Sequence, residues 1–177
     1  MHRSFDFSGD PYMIRLRSYR EQDSVAVGIL IAEILSKNVL ESIPENEKPA
    51  YMGPFYNAHS QDSSHQQQVA MFIQDTLVFV AEDEDGNIVG VLRGRPGRLH
   101  GLYVHDWYFF MDTGRKLVEK FEENCRKLGS SKIKLASPLY AVPFYLRMGY
   151  KKSTGLRNGA SFDGRELVWQ PMKKKLI

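Results

Sequence analysis

The pattern of apolar and polar positions predicts a strand and then a helix at the start of the chain. Residues 13–19 alternate between apolar and basic residues, as a half-buried β-strand does. Asp23 is the expected N-cap of a helix whose apolar face comprises Val27, Leu30, Ile31, Ile34 and Leu35. Residues 42–62 then lose any period and contain prolines at 44, 49 and 54, which predicts a long irregular loop. A second helix is predicted over residues 64–74.

The middle of the chain has the pattern of antiparallel hairpins. Residues 76–83 form an apolar strand, an Asp-Gly turn signal follows within residues 84–87, and residues 88–95 return as a second strand. A Pro-Gly pair at 96–97 predicts another turn before a third strand over residues 98–105. This segment therefore predicts three sheet neighbours joined by tight turns.

The last third of the chain returns to alternating helices and strands. A helix is predicted over residues 113–128, with Gly129 as its stop and an apolar face of Leu117, Val118, Phe121, Cys125 and Leu128. A strand at 132–137, a short helix at 140–148 ended by Gly149, and strands near 150–156 and 165–173 follow. The order predicts an α+β (mixed α/β) fold with one twisted sheet, a loose leader over residues 1–12 and a single domain over 13–177.

Composition narrows the class of protein without identifying it. The chain has 177 residues and a net charge of +3, which fits one globular domain and falls short of a dedicated nucleic-acid binder. No apolar run is long enough to span a membrane, and the start lacks the apolar core of a secretory signal. With the single cysteine, Cys125, expected to be a buried thiol, these features predict a cytoplasmic protein with no membrane partner. No histidines or carboxylates show metal-ligand spacing, so no metal is expected.

Residues 102–121 predict a strand, a turn and the start of a helix, an arrangement that often holds a phosphate. The first N–H groups of a helix have no intrahelical partner and lie at the positive end of its dipole. Arg115 and Lys116 favour an anion there, unless they are merely a solvated helix face. Asp112 opposes an anion by its charge and is expected either to adopt a left-handed conformation or to cap the helix with its carboxylate.

Three stretches together resemble the GCN5-related N-acetyltransferase (GNAT) family. They are residues 80–94 followed by 99–122, residues 137–153 with the segment FYLRMGY, and residues 169–176, so that the resemblance covers residues 14–176. It implies a GNAT-like single twisted, mostly antiparallel sheet with splayed central strands and flanking helices. It also implies acetyl-CoA as the acyl donor.

The resemblance assigns cofactor contacts to the segment between the third strand and the following helix. Strands that splay after Tyr103 would offer backbone N–H groups to the cofactor. The family's pyrophosphate loop reads Arg or Gln, two residues, Gly, one residue, then Gly or Ala, whereas this chain has Phe109 and Asp112 at the first and fourth positions. The loop is thus a degenerate version, and Phe109 and Phe110 are expected to pack on the sheet edge or line the pantetheine tunnel. The implied cofactor-binding residues are Leu102, Tyr103, Val104, Phe109, Phe110, Met111, Asp112, Thr113, Gly114 and Arg115.

The same resemblance implies catalytic residues. Tyr145 corresponds to the tyrosine that protonates the leaving thiolate, although a core aromatic is the alternative interpretation. His100 is the candidate base because a histidine titrates in the required range. The other candidates are His105, Glu82 and Asp83, or a base relayed through water.

The function implied is transfer of an acetyl group from acetyl-CoA to a primary amine of a small molecule or peptide by direct attack. The altered loop favours an alternative, a non-catalytic acyl-CoA-binding or sensing module. The acceptor pocket is expected over residues 39–68, with Tyr51, Phe55, Tyr56 and His59 among its residues. Many relatives are dimers, so the resemblance leaves a homodimer through the final strands open.

Overall fold

The computed structural model describes residues 13–176, with the side chains of Phe109 and Phe110 left out. The predicted leader, residues 1–12, lies outside the described residues. The strands are β1 Arg15–Ser18, β2 Leu77–Glu82, β3 Ile88–Arg95, β4 Arg98–Val104, β5 Lys132–Pro138, β6 Lys151–Lys152, β7 Arg157–Ser161 and β8 Gly164–Lys175. The α-helices are α1 Ser24–Ile34, α2 Lys48–Met52, α3 Ser63–Ile73, α4 Thr113–Lys127 and α5 Val142–Arg147.

The strands form one eight-stranded sheet in the order β1-β2-β3-β4-β5-β8-β6, with β7 pairing β8. Every pair is antiparallel except β4 with β5. The predicted fold class, a single mostly antiparallel sheet with flanking helices, is therefore confirmed.

The central strands β4 and β5 separate along most of their length. Their ladder contains the single pair Arg98 with Lys134, next to a 3.0 Å bond from the Lys134 N–H to the Gly97 carbonyl. The prediction that they splay after Tyr103 is wrong, because the separation begins just after Arg98. A β-bulge in β4 lies at this point, since Gly94 pairs Leu99 while Arg93 pairs Gly101. A bulge bends its strand, which accounts for the early divergence.

Each face of the sheet has its own apolar core. One core lies under α4 and α5, where the inward side chains of Leu117, Val118, Phe121 and Cys125 are fully buried. The other core lies under α1 and α3, and it contains the apolar face that was predicted for α1. Leu128 does not share the α4 face as predicted, because the helix ends at Lys127 and Leu128 is 57% exposed.

Three local features differ from the sequence predictions. Residues 42–62 contain α2 and a 3-10 turn, Gly53–Asn57, because Pro49 and Pro54 stand in the first turns of these helices, where proline is tolerated. The Asp23 carboxylate does not cap α1; it accepts from the Arg20 N–H at 2.7 Å and pairs with Arg17.

The third difference lies near the C-terminus. A strand was predicted at 150–156, but only the two-residue β6 forms there. The hairpin β7–β8 follows it, and β8 extends from Gly164 to Lys175. β8 pairs with β5 along the side of that strand that faces away from the split.

Candidate active site

The first turn of α4 has backbone N–H groups without intrahelical partners. Its first intrahelical bond runs from the Lys116 N–H to the Asp112 carbonyl at 2.8 Å. The N–H groups of Thr113, Gly114 and Arg115 therefore precede the hydrogen-bonded ladder and point out of the positive end of the helix. This end follows directly from β4 through a 3-10 turn, Asp106–Met111.

Asp112 adopts the left-handed conformation that its residue type tolerates, with φ 56° and ψ 13°. The expectation that its carboxylate caps the helix is wrong, because no side-chain capping bond is present. The carboxylate instead accepts a 2.8 Å bond from Arg115, whose guanidinium also donates to Glu119 at 3.0 Å. The hydrogen bond from Arg115 lowers the pKa of Asp112. The carboxylate thus leaves the three N–H groups unblocked, while Arg115 is held by two acids.

Thr113 and Gly114 fix this helix end against the rest of the site. Thr113 is fully buried, and its Oγ1 has no hydrogen-bond partner among residues 13–176. A Cβ built on Gly114 would lie 3.4 Å from the Phe144 ring and 3.7 Å from a methyl group of Val104. The helix start therefore packs directly on α5 and on the end of β4. Met111 ends the preceding turn, and the expected packing of Phe109 and Phe110 falls outside the described side chains.

The open edge of β4 offers further N–H groups. The His105 N–H bonds to the Val89 carbonyl at 2.9 Å, so alternate residues of β4 bond to β3. The strand alternation then directs the N–H groups of Leu102 and Val104 toward the split between β4 and β5. The family resemblance assigned a backbone contact to Leu102, Tyr103 and Val104, and the two outer residues have this orientation.

Tyr145 and two other tyrosines lie around the split. Tyr145 is 5% exposed and packs edge-on against Phe144 and Tyr150, with ring centroids 5.1 and 5.6 Å apart. Burial, reinforced by Tyr140 and Tyr103, raises the pKa of Tyr145 well above its usual range. Burial also raises the pKa of Tyr103, and desolvation raises the pKa of the half-exposed Tyr140 to about 12. All three phenols therefore keep their protons at neutral pH.

The four candidate bases differ in their burial and in their hydrogen-bond partners. His100 is exposed in the bulge of β4, with its Nδ1 2.6 Å from the Asp75 carboxylate. It lies four positions before Val104, which is about 13 Å along an extended strand. Glu82 is buried against Arg17 and Arg15, whose hydrogen bonds lower its pKa.

The two remaining candidates for the general base are Asp83 and His105. Asp83 accepts the Asn87 N–H at 2.8 Å and closes the β2–β3 turn, so its carboxylate is engaged, like that of Glu82. The His105 ring stands edge-on to Tyr108 with centroids 6.2 Å apart. Its Nδ1 is shielded and has no partner among the described side chains.

A groove of about 730 Å³ opens beside this end of β4. It lies between the end of α1, the segment from α2 to His59, and the turn after β4. The expected pocket residues Phe55, Tyr56 and His59 line it, whereas Tyr51 does not and instead contacts the β7–β8 hairpin. The charged and titratable residues of the wall are Glu33, Lys37, Glu41, Glu45, Lys48, His59, His105 and Asp106.

The groove carries more acid than base. Both of its lysines are paired, Lys37 with Asp106 and the buried Lys48 with Glu45. Glu33 and Glu41 have no ion-pair partner within residues 13–176. One oxygen of Asp106, Oδ1, is shielded from solvent and lacks a hydrogen-bond partner among the same residues. The groove is therefore negative although the chain as a whole carries a charge of +3.

Sequence reasoning did not predict Lys37 or Asp106 as groove residues, and it did not single out Lys48 within the predicted pocket range 39–68. Lys48 lies in a polar segment that has the composition of a solvated loop, and its burial depends on bonds to Ser36 and Glu45 that only the fold creates. The β-bulge that separates β4 from β5 also had no local signal.

Within residues 13–176, no group of three or more His, Cys, Asp or Glu is placed to hold a metal ion. No helix in that part of the chain is long and apolar enough to cross a bilayer.

A split sheet thus lies beside a helix start whose first N–H groups have no intrahelical partner, and comparison with known domains identifies the family. The family model of the acetyltransferase (GNAT) domain matches residues 40–176. The chain belongs to the GNAT family and is an acyltransferase domain of that class. No curated protein sequence matches it significantly.

Solved structures share the fold at low sequence identity. A GCN5-related N-acetyltransferase from Rhodopseudomonas palustris is 22% identical, with a TM-score of 0.69 over 92% of this chain and 95% of that one. The PaiA N-acetyltransferase from Thermoplasma acidophilum, in complex with coenzyme A, is 18% identical, with a TM-score of 0.65 over 92% and 99%. YncA from Salmonella typhimurium, with acetyl-CoA, is 16% identical, with a TM-score of 0.63 over 93% and 95%.

Proposed function

We propose that this chain transfers the acetyl group of acetyl-CoA to a primary amine of a small molecule or peptide. The observation that carries the proposal is the start of α4, whose unpaired N–H groups adjoin the split between β4 and β5. A helix start of this kind binds phosphate groups without requiring particular side chains. The substitutions at Phe109 and Asp112 therefore leave the main binding element in place.

The described residues fit such a donor in three ways. The N–H groups of Thr113, Gly114 and Arg115 have no intrahelical partner, as a pyrophosphate site requires. The unpaired, buried Oγ1 of Thr113 supplies one more polar group at the same end of the helix. The N–H groups of Leu102 and Val104 face the split, where they would bind the amides of the pantetheine arm. When bound, acetyl-CoA supplies the activated acetyl thioester.

The groove supplies the acceptor site. An amine is largely protonated at neutral pH, and a groove with unpaired carboxylates attracts it. The shielded Oδ1 of Asp106 is an acceptor that an ammonium group would satisfy, and a buried carboxylate oxygen without a donor is otherwise unfavourable. The charge of Asp106 also contributes, after desolvation and Tyr103, to the raised pKa of Tyr140, so this carboxylate lies within electrostatic range of that phenol.

Tyr145 would hold the proton that the leaving sulfur requires. Its raised pKa keeps the hydroxyl protonated, and its packing against Phe144 and Tyr150 fixes the ring. The bound ammonium must first give one proton to a base, because only the neutral amine can attack. The new C–N bond then forms as the thioester C–S bond breaks, and the nitrogen loses its second proton while the sulfur gains one. His100 stays the predicted base, and His105 is its alternative because it lines the groove itself.

A second candidate function is an acyl-CoA-binding module without turnover. The altered cofactor loop motivates it, because Phe109 and Asp112 stand at the first and fourth positions of the motif, and Asp112 forms an ion pair with Arg115. The two candidates differ in one observable, since both bind acetyl-CoA but only the enzyme releases CoA thiol when an amine is present.

The test combines calorimetric titration with a thiol-release assay. Acetyl-CoA is titrated into the purified protein, and CoA thiol is then followed with a monoamine, a diamine, an amino sugar, an amino-acid amide and a peptide with a free N-terminus. Binding with amine-dependent release supports the enzyme. Binding without release for any amine supports the sensing module. Absence of binding contradicts both candidates.

A further inference from the structure

The tip of the β7–β8 hairpin, residues 161–165, is hydrogen-bonded to α2. The Ser161 hydroxyl donates to the Tyr51 carbonyl at 2.8 Å, and the Asp163 N–H donates to the Ala50 carbonyl at 2.9 Å. In return, the Tyr51 hydroxyl donates to the Arg165 carbonyl at 3.0 Å. The sequence separation between these partners exceeds one hundred residues, so the contact is purely tertiary.

Two rings and two glycines interlock at the same place. The Phe162 ring covers Gly53, where a Cβ would lie 2.3 Å from a ring atom, and the Tyr51 ring covers Gly164 at 2.2 Å by the same measure. Phe162 also stands edge-on to Phe55, with ring centroids 6.2 Å apart, and this phenylalanine lines the groove. Side chains larger than glycine at either position would force the two segments apart.

The backbone at the tip is held in an unfavourable conformation. Phe162 and Glu166 have φ values of 53° and 68°, a region that residues with a Cβ rarely adopt. Such conformations persist where surrounding contacts determine them, and they concentrate at functional sites. The hydrogen bonds and ring contacts between the tip and residues 50–55, called the interlock below, supply the surrounding contacts at Phe162.

The hairpin also connects the two halves of the proposed site. Its strand β8 continues to Trp169 and Gln170, which pair with Pro138 and Ser137 of β5, on the far side of the split. Its tip contacts residues 50–55, which lie within the segment 48–59 that contributes Lys48, Phe55 and His59 to the groove. One strand therefore contacts both the donor and the acceptor side.

From this geometry we infer that Phe162 is a positioning residue for the acceptor: it fixes the α2 wall of the groove relative to the split. The inference rests on the proposed acetyl transfer. Phe162 does not line the groove, so its effect is exerted through its neighbours, which are Gly53, Phe55 and Phe72 of α3, whose ring centroid lies 5.1 Å from that of Phe162. Loss of the ring loosens the acceptor wall and leaves the α4 start, on the other face of the sheet, unchanged.

The first experiment compares Phe162→Ala with Phe162→Tyr, which keeps the ring, and with Leu156→Ala, a matched apolar deletion at an exposed site outside the interlock. With the most active amine of the panel, Phe162→Ala raises the acceptor KM about tenfold, because the loosened wall no longer positions the acceptor. This is less than the roughly 100-fold that a 1 Å misplacement can cost. The Kd for acetyl-CoA, measured by calorimetry, stays within about twofold of the parent, since the helix start is unchanged. Phe162→Tyr retains the parental KM. An acceptor KM equal to that of Leu156→Ala, or an equal rise in both constants, overturns the inference.

A second arm remains informative if Phe162→Ala does not fold. The double variant Tyr51→Phe with Ser161→Ala removes two hydrogen bonds of the interlock and leaves its rings in place. Amide hydrogen exchange by mass spectrometry then measures protection in residues 48–59 and in α4 separately. Faster exchange confined to 48–59, together with a raised acceptor KM, supports the inference, and unchanged exchange there overturns it. If no amine is acetylated by the parent protein, the proposed function fails, and an exchange difference confined to 48–59 still shows that the hairpin holds that wall.

Discussion

Gly114 offers a direct test of how the start of α4 is built. The residue lies in the first turn of the helix and has no positive φ, so an alanine adopts its backbone conformation without strain. The added Cβ would lie 3.4 and 3.5 Å from the Phe144 ring and 3.7 Å from Val104, which is ordinary van der Waals contact. Gly114→Ala is therefore expected to fill space without displacing a neighbour.

The expected gain follows from the unfolded chain. Replacing a glycine by alanine at a compatible position stabilises a protein by about 0.4–1 kcal/mol, because the unfolded chain has fewer conformations to lose. For a domain of this size, that corresponds to a rise in Tm of about 1–4 °C. The Cβ is directed at Phe144 and Val104, away from the outward N–H groups, so the Kd for acetyl-CoA should change by less than about threefold.

Gly28 is the matched control, since it lies inside α1 and also lacks a positive φ. A Cβ there would lie 2.4 Å from a methyl group of Val69, a β-branched side chain that has little freedom to move. Overpacking of this kind costs about 1–3 kcal/mol. Better helix propensity returns at most about 1 kcal/mol. Thermal unfolding followed by circular dichroism should rank Gly114→Ala above the parent and Gly28→Ala below it. A lower Tm for Gly114→Ala would refute the described packing of α4 on α5.

Three further predictions concern the site and the stability of the sheet edge. Tyr145→Phe should lower kcat by about 100-fold, the lower end of the range for a general acid, because the raised pKa of Tyr145 weakens its proton donation. The Kd for acetyl-CoA should not change, and an unchanged kcat removes Tyr145 from the mechanism. Asp112→Asn should tighten acetyl-CoA binding, because it removes a repelling charge and releases Arg115. Salt at 0.5 M should reduce the difference in Kd between parent and variant by about half or more. Equal Kd values at low salt contradict this electrostatic argument. Glu82→Gln should lower the Tm at pH 7 and flatten the decline of the Tm in acid. The folded pKa of Glu82 is depressed, so its carboxylate stabilises the fold above the unfolded pKa of about 4.3. That contribution is lost as the pH falls from the unfolded pKa through the folded pKa. A parental pH profile in Glu82→Gln would show that its bonds to the arginines add no stability.

Periodicity was sufficient for the elements that build the sheet and its main helices. The β2–β3 and β3–β4 hairpins formed where Asp-Gly and Pro-Gly turns were predicted, with Gly86 and Gly97 at positive φ. Helix α4 begins at the predicted residue, Thr113. These segments share a strong local pattern, which survives because the local preference and the tertiary contacts agree.

The segments that failed have weak local patterns and depend on distant contacts. Helix α2 was hidden by Pro44, Pro49 and Pro54, whose composition suggests interruption. By position, Pro49 and Pro54 stand in the first turns of helices. The tip of β7–β8 places Phe162 at a positive φ, which no propensity predicts for an aromatic residue. Both segments are fixed by each other through contacts more than one hundred residues apart, and no window of sequence contains that information.

The altered loop shows the same division between backbone and side chains. Its departures from the family motif predicted an altered anion site, because the charge of Asp112 opposes an anion and its carboxylate was expected to take a helix N–H. The backbone at Asp112 takes the left-handed conformation that a glycine would supply, so the turn keeps its course without glycine. The carboxylate bonds to Arg115 and leaves the N–H groups unpaired. What the substitution changes is therefore the charge beside the site, and a change in charge alters affinity and its salt dependence more than it alters the shape of the site.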